Sequence, residues 1–580
     1  MLANNITQST QKAEVKTEDA PMITGYDHDY LNKCLLEFER DYPVADIVIN
    51  DIKIWPYMKV SMLHKLQSHF YVNKGKIRAS HQQKPVKEKL INLGKTLLNA
   101  LKLTAKTLST FPFKHYFSRH AVNTVMFAYN TKSLDVGSRR INRYLVGVVE
   151  DYERLGHSDY EIWEYNSLDA VDDKATFAGV NMTYLSATVN EWCKCRIALS
   201  SLFPQKETDY VEAFNRFLTH KGIPVQLESY KLRHEIKRID FMSRLLQPFF
   251  ERHQVKNVIN ICYYGYLAIA ANLACYRAGI KSVDYQHGIL TRVDPFYTHW
   301  SHVPDSGYAL LPKTFWVWGD VGYDIVNEWI AKQSFHQVKV VGNAWLSYFS
   351  NTSKASSQIE DSQVKDSQLK TEQIEGSQTS GFQSSGSASP SFKSTSEPSS
   401  DLSSELSLKQ SLKQSLQDKK VILLSLQTFP QDYPNFVTQV IHDSPDDWVF
   451  IIKEHPRYHL TQTQLSDEFG ELLDAGKVVL MRDYSVYELL VQFPIDVNLT
   501  PYSTVAFECE YFGVPTVFFH EVGIKGNMAL IRTTPHLMGA LDADSLMENI
   551  KIALALEQIE PVYMAKQVTI GSAMREENAN

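Results

Sequence analysis

At 580 residues the chain is too long for one hydrophobic core, so two or three domains are expected. An apolar share of 44% and a charged share of 22% are those of an ordinary globular protein, and a net charge of −7 gives no overall case for nucleic-acid binding. Cys34, Cys193, Cys195, Cys262, Cys275 and Cys509 lie mostly in apolar or helical contexts and make no disulfide framework, which points to a reducing compartment.

Residues 1–22 are polar and acidic and read as a disordered tail, not a signal peptide. Residues 23–120 read as a helical, basic N-terminal region, helical from Tyr26 to about Leu66 apart from the odd stretch Ile52 to Met58. Between Lys74 and Arg119 eleven Lys or Arg face one acid, Glu88. Within that span Val86, Leu90, Leu93, Leu97, Leu101 and Leu108 recur at helical steps. An apolar helix side backed by lysines suits an anionic membrane surface, with Phe111, Phe113, Tyr116 and Phe117 as interfacial anchors. The plainer alternative is a helix packed on its own protein with a solvated basic face. No apolar run approaches the roughly 20 residues that a membrane span needs.

From Ala121 strands and helices alternate. Val122–Tyr129 reads as a strand, Asn130–Arg140 as a polar loop, Ile141–Tyr152 as a helix and Tyr160–Tyr165 as a strand. Residues 176–250 read as mostly helical. Strands are then expected at Asn257–Tyr263, Lys281–Tyr285, Thr314–Trp318 and Val338–Val341. Helices at Tyr266–Arg277 and Tyr323–Ala331 separate them, the first ended by Gly279. Residues 351–418 carry 21 serines and too little apolar surface to offset the entropy of ordering, so they read as a disordered insertion. The rhythm resumes with strands at Val421–Leu426, Val449–Ile452, Val478–Met481, Asp496–Leu499 and, last, Thr516–Phe519. The chain thus reads as α/β with two Rossmann-like domains, residues 121–350 and 419–550, followed by a C-terminal helix and tail at 551–580.

Chemistry-capable residues stand where predicted strands end, which is where open parallel sheets bind ligands. Asp284-Tyr285-Gln286-His287-Gly288 offers an imidazole, the usual proton carrier near neutral pH, beside a carboxylate. Lys453, His455 and Arg457 follow the strand Val449–Ile452 and together suit a phosphate. Ser503 and Thr504 fall at a predicted helix start and could meet an anion or simply cap the helix. Glu508 lies a turn further on, placed either to hold ribose hydroxyls or to face solvent. Cys193-Lys194-Cys195 is a lone C-x-C, a weak basis for zinc. No G-x-G-x-x-G, P-loop, H-E-x-x-H or G-x-S-x-G motif is present. No metal site and no cofactor are expected.

Two such halves, with Gln286-His287-Gly288 in the first, Glu454-His455-Pro456-Arg457 in the second and Tyr502-Ser503 through Phe507-Glu508 before Phe512-Gly513-Val514-Pro515-Thr516, resemble GT-B glycosyltransferases. The likeness is nearest to bacterial capsule and surface-polysaccharide transferases, including CDP-glycerol glycerophosphotransferases, and spans roughly residues 255–350 and 419–530. It implies that the two domains face a cleft and that His287 takes the proton from an acceptor hydroxyl. It also implies that His455, with Lys453 or Arg457, contacts the donor phosphate, that Ser503 and Thr504 cradle it, and that Glu508 sits near the ribose. The acidic motif of the sialyltransferase branch is missing, so the base is left open between His287 and an acid such as Asp284 or Asp320.

The expected function is transfer of a sugar from a CMP-, CDP- or UDP-linked donor to a lipid-linked or growing polysaccharide acceptor. It would take place in the cytoplasm at the inner face of the cell membrane, with residues 74–119 on the anionic surface and no nucleic acid involved. The alternatives are a CDP-glycerol-type phosphotransferase, a nucleotide-sugar 2-epimerase and a non-catalytic scaffold of polysaccharide assembly.

Overall fold

The computed structural model describes residues 27–72, 86–118, 120–129, 133–136, 139–165, 180–203, 206–292, 294–351, 411–426, 434–455, 459–482, 484–565, 568–570 and 572–573. The tail at 1–22, most of the serine-rich insertion and Arg457 lie outside them. The chain divides into two compact units. The first runs to Val341, without residues 319–321, and takes back the segment from Thr569; the second holds residues 319–321 and 342–568.

In the first unit, α1 (His28–Asp41) starts at Asp27, whose carboxylate accepts from the Tyr30 N–H at 3.0 Å. A short hairpin, β1 (Val48–Ile49) and β2 (Ile52–Lys53), turns through Asn50 and Asp51, both at positive φ, and leads into α2 (Trp55–Gln67). This hairpin explains the odd stretch at Ile52–Met58: Trp55 and Met58 are core residues. The basic helix is α3 (Val86–Thr110), followed by α4 (Phe113–Phe117).

The first sheet has seven strands. They are β3 (Thr124–Tyr129), β6 (Tyr160–Tyr165), β7 (Val180–Asn181), β8 (Asn257–Ile261), β9 (Lys281–Tyr285), β10 (Thr314–Val317) and β11 (Gln337–Val340). Where a polar loop is expected after β3, β4 (Ser133–Val136) instead pairs antiparallel with β5 (Arg139–Asn142). Its alternation is too short to separate from a polar connection. The helices are α5 (Val146–Arg154), α6 (Thr183–Ser200), α7 (Asp209–His220), α8 (Ser229–Arg252), α9 (Tyr266–Ala278) and α10 (Asp320–Ile330). Every pairing in the sheet is parallel, and the order is β11-β10-β9-β8-β3-β6-β7. All five residues of β8 are buried, as is α9 from Leu267 to Cys275. An all-round apolar helix over a continuous apolar strand is what a covered parallel sheet requires. Gly279 ends α9 at φ 67°, a left-handed position where its N–H reaches the Cys275 carbonyl.

The N-terminal helices belong to this unit. Glu39 accepts from the Trp55 indole N–H at 2.9 Å and from the N–H and hydroxyl of Ser301, both at 2.7 Å. Lys59, fully buried, donates to the carbonyls of Thr298 and His299 at 3.1 and 2.9 Å and lies over the Trp300 ring. Burial pushes its ammonium down to about 8, against the pull of Glu39.

The second unit has a six-stranded parallel sheet, again of parallel pairs only: β12 (Lys420–Ser425), β13 (Trp448–Lys453), β14 (Val478–Leu480), β15 (Ile495–Thr500), β16 (Thr516–Phe518) and β17 (Leu537–Gly539), in the order β14-β13-β12-β15-β16-β17. Its helices are α11 (Asn435–Asp443), α12 (Gln462–Asp474), α13 (Val486–Gln492), α14 (Val505–Tyr511), α15 (Glu521–Gly526), α16 (Met528–Thr533) and α17 (Ala543–Leu554). Phe450, Ile451 and Ile452 of β13 are fully buried, each contributing about 1.5–3 kcal/mol. Thr461 with Gln464 and Ser485 with Glu488 form capping boxes that start α12 and α13. Two expectations need correction. β17 lies beyond the strand read as last, because Leu-Met-Gly is too short a run to stand out. The ordered chain also resumes before residue 418: Leu416 is buried in the core and Leu412 packs against it, four residues apart as on one side of a helix turn.

Both sheets are therefore doubly wound. In the first the order reverses between β3 and β8, in the second between β12 and β15. The ligand position for such sheets is at the carboxyl ends of those strands.

Candidate active site

At the carboxyl edge of the first sheet, β8 gives way to Cys262-Tyr263-Tyr264-Gly265, with Cys262 at φ 71°, and β9 gives way to Gln286-His287-Gly288. Gln286 is locked: its Nε2 donates to the Gly288 carbonyl, and its Oε1 accepts from the Trp318 N–H, each at 2.8 Å. His287 is therefore held on a short braced turn. Around its half-buried ring stand Tyr144, Tyr264 and Tyr297, with ring centroids at 6.4, 5.8 and 6.5 Å. The Tyr264 hydroxyl is 3.2 Å from His287 Nε2 and the Tyr297 hydroxyl 3.4 Å from Nδ1.

Asp284 sits behind this layer, buried at 1% exposure. It accepts from the Tyr263 N–H at 2.7 Å and from the Tyr297 hydroxyl at 2.9 Å. Burial pushes its carboxyl up to about 8, even with those donors pulling the other way. Tyr297 thus stands between Asp284 and His287 and couples their proton positions. When Asp284 is ionised it accepts the hydrogen bond of the Tyr297 hydroxyl, the Tyr297 oxygen accepts from Nδ1–H, and His287 Nε2 is left as an acceptor. When Asp284 is protonated the chain of donors runs the other way.

Sequence reasoning misses Tyr144, Tyr264 and Tyr297. Tyr264 could have been found, since it follows a predicted strand end; Tyr297 lies ten positions beyond His287 in a loop with no pattern.

At the carboxyl edge of the second sheet, β12, β13 and β15 end level with one another. Ser425 pairs with Lys453 in register, its hydroxyl donates to Asn498 Oδ1 at 2.8 Å, and its carbonyl accepts from the Thr500 hydroxyl at 3.1 Å. Lys453 and the Thr500–Thr504 turn therefore share one edge. Lys453 Nζ donates to the Arg482 carbonyl at 3.2 Å, and His455 is half-buried on the loop that follows. Between them Glu454 is buried at 3% exposure. It takes two bonds from Arg482, at 2.7 and 3.1 Å, one from the Leu460 N–H at 2.7 Å and one from His459 at 3.0 Å. Burial alone would raise its carboxyl, but the Arg482 guanidinium and these donors hold it below the ordinary value. Glu454 is thus the peg that fixes the loop carrying His455. Arg457 lies outside the described residues.

The Ser503 hydroxyl accepts from the Val505 N–H at 3.2 Å just before α14, and the N-cap residue Thr504 is exposed beside it. Glu508 accepts from the Tyr487 hydroxyl at 3.1 Å. Tyr502 meets His520 edge-on at 5.7 Å, so His520, at the end of β16, joins the same edge.

Among the described residues one group could hold a metal ion: His115, His120 and Glu161, with both Nε2 atoms at 2.9 and 2.7 Å from one carboxylate oxygen. It lies at the amino edge of the first sheet, the end opposite His287. A cavity of about 890 Å³ also opens at that edge, ringed by Lys256, Lys281, Lys313 and Lys339. It is away from the strand ends where a doubly wound sheet takes its ligand.

No protein-family model matches the sequence, and no curated protein sequence matches it. Solved structures do. The UDP-GlcNAc 2-epimerase of Methanocaldococcus jannaschii is 10% identical, with 79% of this chain and 100% of that one covered, at a TM-score of 0.44. The UDP-GlcNAc 2-epimerase of Neisseria meningitidis bound to UDP-GlcNAc is 11% identical over 79% of this chain and 99% of that one, at 0.41. Anabaena HepE in complex with UDP is 11% identical over 79% and 100%, at 0.35.

Proposed function

We propose that the chain is a nucleotide-sugar-dependent glycosyltransferase of the GT-B type, acting at the inner face of the cell membrane on a lipid-linked or growing surface polysaccharide. The observation that carries this reading is the Asp284–Tyr297–His287 relay at the carboxyl end of β9, beside the strand β8 that borders the switch point of the first sheet. An acceptor hydroxyl beside His287 Nε2 gives up its proton to the imidazole as its oxygen attacks the sugar's anomeric carbon. The bond from that carbon to the nucleotide's phosphate oxygen breaks and the phosphate leaves with the bonding electrons; Lys453 and His455 are assigned to phosphate binding on the second unit. Ser503 and Thr504 line the same edge, and Glu508 is assigned to the ribose. Arg457 is assigned to the phosphate by its position after His455. A general base contributes typically 10²–10⁴-fold, with the remaining acceleration coming from positioning and charge at the phosphate.

The membrane part of the reading is supported by the exposed apolar side of α3. No described helix is long and apolar enough to cross a membrane. The test supplies CMP-, CDP- and UDP-linked sugars and CDP-glycerol, each with and without a lipid-extracted acceptor. Sugar incorporation that needs acceptor and is lost in His287→Ala is expected. Glycerol phosphate incorporation would replace the reading by the phosphotransferase, and conversion of a donor with no acceptor present would replace it by the epimerase.

A further inference from the structure

α3 is turned in an unexpected direction. It packs on α6 through small and polar residues: Ala100 is fully buried, the Thr107 hydroxyl lies 2.8 Å from that of Thr188, and the Trp192 indole donates to the Thr104 hydroxyl at 3.1 Å. Most of the leucines face outward, with Leu93 and Leu103 half-buried. Leu90 is 51% exposed, Leu98 54%, Leu101 52% and Leu108 65%, which is the reverse of a helix that buries its apolar side. Phe117, at 63%, extends the same patch from α4.

Leu108 also belongs to a cavity of about 390 Å³ between α3, α6 and α8, a volume within the roughly 300–1,000 Å³ of ligand pockets. The mouth is apolar and open: Phe113 is 38% exposed, Trp192 39% and Phe241 51%. Arg196 and Lys237, both exposed, stand on the rim without an acid in the lining. The acids nearest in sequence are already taken, Glu191 by Lys194, Glu235 by Arg238, and Asp240 by Arg244 and Arg277. Lys95, Lys102 and Lys106 flank the leucine side of α3 and are exposed.

We propose that this cavity takes one hydrocarbon chain of an anionic phospholipid, from a membrane on which the leucine side of α3 rests. The apolar mouth, continuous with that side through Leu108, admits the chain. The unopposed cations of the rim receive the phosphate, and the lysines beside the stripe meet the surrounding anionic headgroups. A water-soluble anion would use the rim but has no need of the exposed leucines. A neutral bilayer would use the leucines but leave the cations without partners. The inference rests on the membrane part of the proposed function and not on its chemistry, so it is tested without a donor.

The full chain is mixed with vesicles of phosphatidylcholine alone, or with added phosphatidylglycerol carrying bromine on one acyl chain. Sedimentation only with the anionic vesicles is expected, together with quenching of tryptophan emission. The quenching shrinks in Trp192→Phe while sedimentation is kept, and Leu97→Glu with Leu101→Glu lowers sedimentation tenfold or more. Equal sedimentation with both vesicle types, or quenching unchanged in Trp192→Phe, would overturn the proposal. So would equal Trp192 quenching by a soluble short-chain brominated carboxylate, which would assign the cavity to a free fatty acid. Independently of any variant, native mass spectra of wild-type protein recovered from the anionic vesicles retain one phospholipid; none retained would also overturn it. Vesicle binding with no sugar transfer would sink the glycosyltransferase reading and leave this one standing.

Discussion

The hydroxyl of Tyr297 links Asp284 to His287, lying 2.9 Å from the one and 3.4 Å from the other. An amide at position 284 would donate to that hydroxyl and turn its proton toward Nδ1, leaving His287 with the wrong nitrogen protonated. Asp284→Asn is therefore expected to lower kcat by about 10²–10⁴-fold above about pH 8, where the wild-type carboxyl is ionised, with KM little changed, and by less near pH 7, where that carboxyl is mostly protonated. Tyr297→Phe breaks the same relay and lowers kcat similarly. Steady-state kinetics with saturating acceptor checks both; a full-rate Asp284→Asn enzyme would remove Asp284 from the mechanism.

The same carboxyl predicts a pH effect on stability. Its ordinary value is 3.8 and burial raises it to about 8. Between those limits the folded chain holds a proton that the unfolded chain has lost, so stability falls as pH rises. The contribution is fully present below about pH 4 and gone above about pH 8. Urea unfolding at pH 5 and pH 8.5 should show a larger loss in the wild type than in Asp284→Asn; equal losses would contradict the shift.

Lys59 and Glu39 form a buried network with Trp55 and Ser301, the two charges 4.0 Å apart. Lys59→Ala leaves a buried carboxylate without its cation and is expected to cost about 3–5 kcal/mol. Lys59→Met with Glu39→Gln should recover a good part of that, because no charge is then left uncompensated. Denaturant midpoints of the single and double variants measure the difference.

Gly523 follows the end of β16 where the Pro501 carbonyl closes on its α-carbon, so a methyl group there would collide with that oxygen. Gly523→Ala is expected to destabilise the second unit by about 1–3 kcal/mol, the usual cost of overpacking. The strain falls on the Pro501–Ser503 turn, so affinity for a nucleotide should fall too. Calorimetric titration with CMP, CDP and UDP reads the second effect, and thermal melting reads the first.

What the sequence reveals depends on how local the cause is. Lys281–Tyr285 and Tyr160–Tyr165 can be read with their observed bounds, because an apolar run and its terminators lie within a few residues. The end of β13 can be read as a cationic cluster, but not the inward turn of Glu454, since its partner Arg482 is 28 positions away. The leucine periodicity of α3 is equally plain. Which side it turns to the protein is not, because Thr107 meets Thr188 from 81 positions off. Tyr297 enters the site through its bond to Asp284, a contact made by the fold and not by any motif.

The chain leaves the first unit after Val341 and comes back at Thr569, whose N–H bonds the Val341 carbonyl at 3.0 Å, with Ile570 and Ala573 buried behind it. Truncation at a single point therefore cannot yield an intact first half, since its last piece is encoded after the whole of the second. Splicing Val341 to Thr569 through a short linker would join two positions that are already neighbours, and is the cut that should give a free-standing fragment.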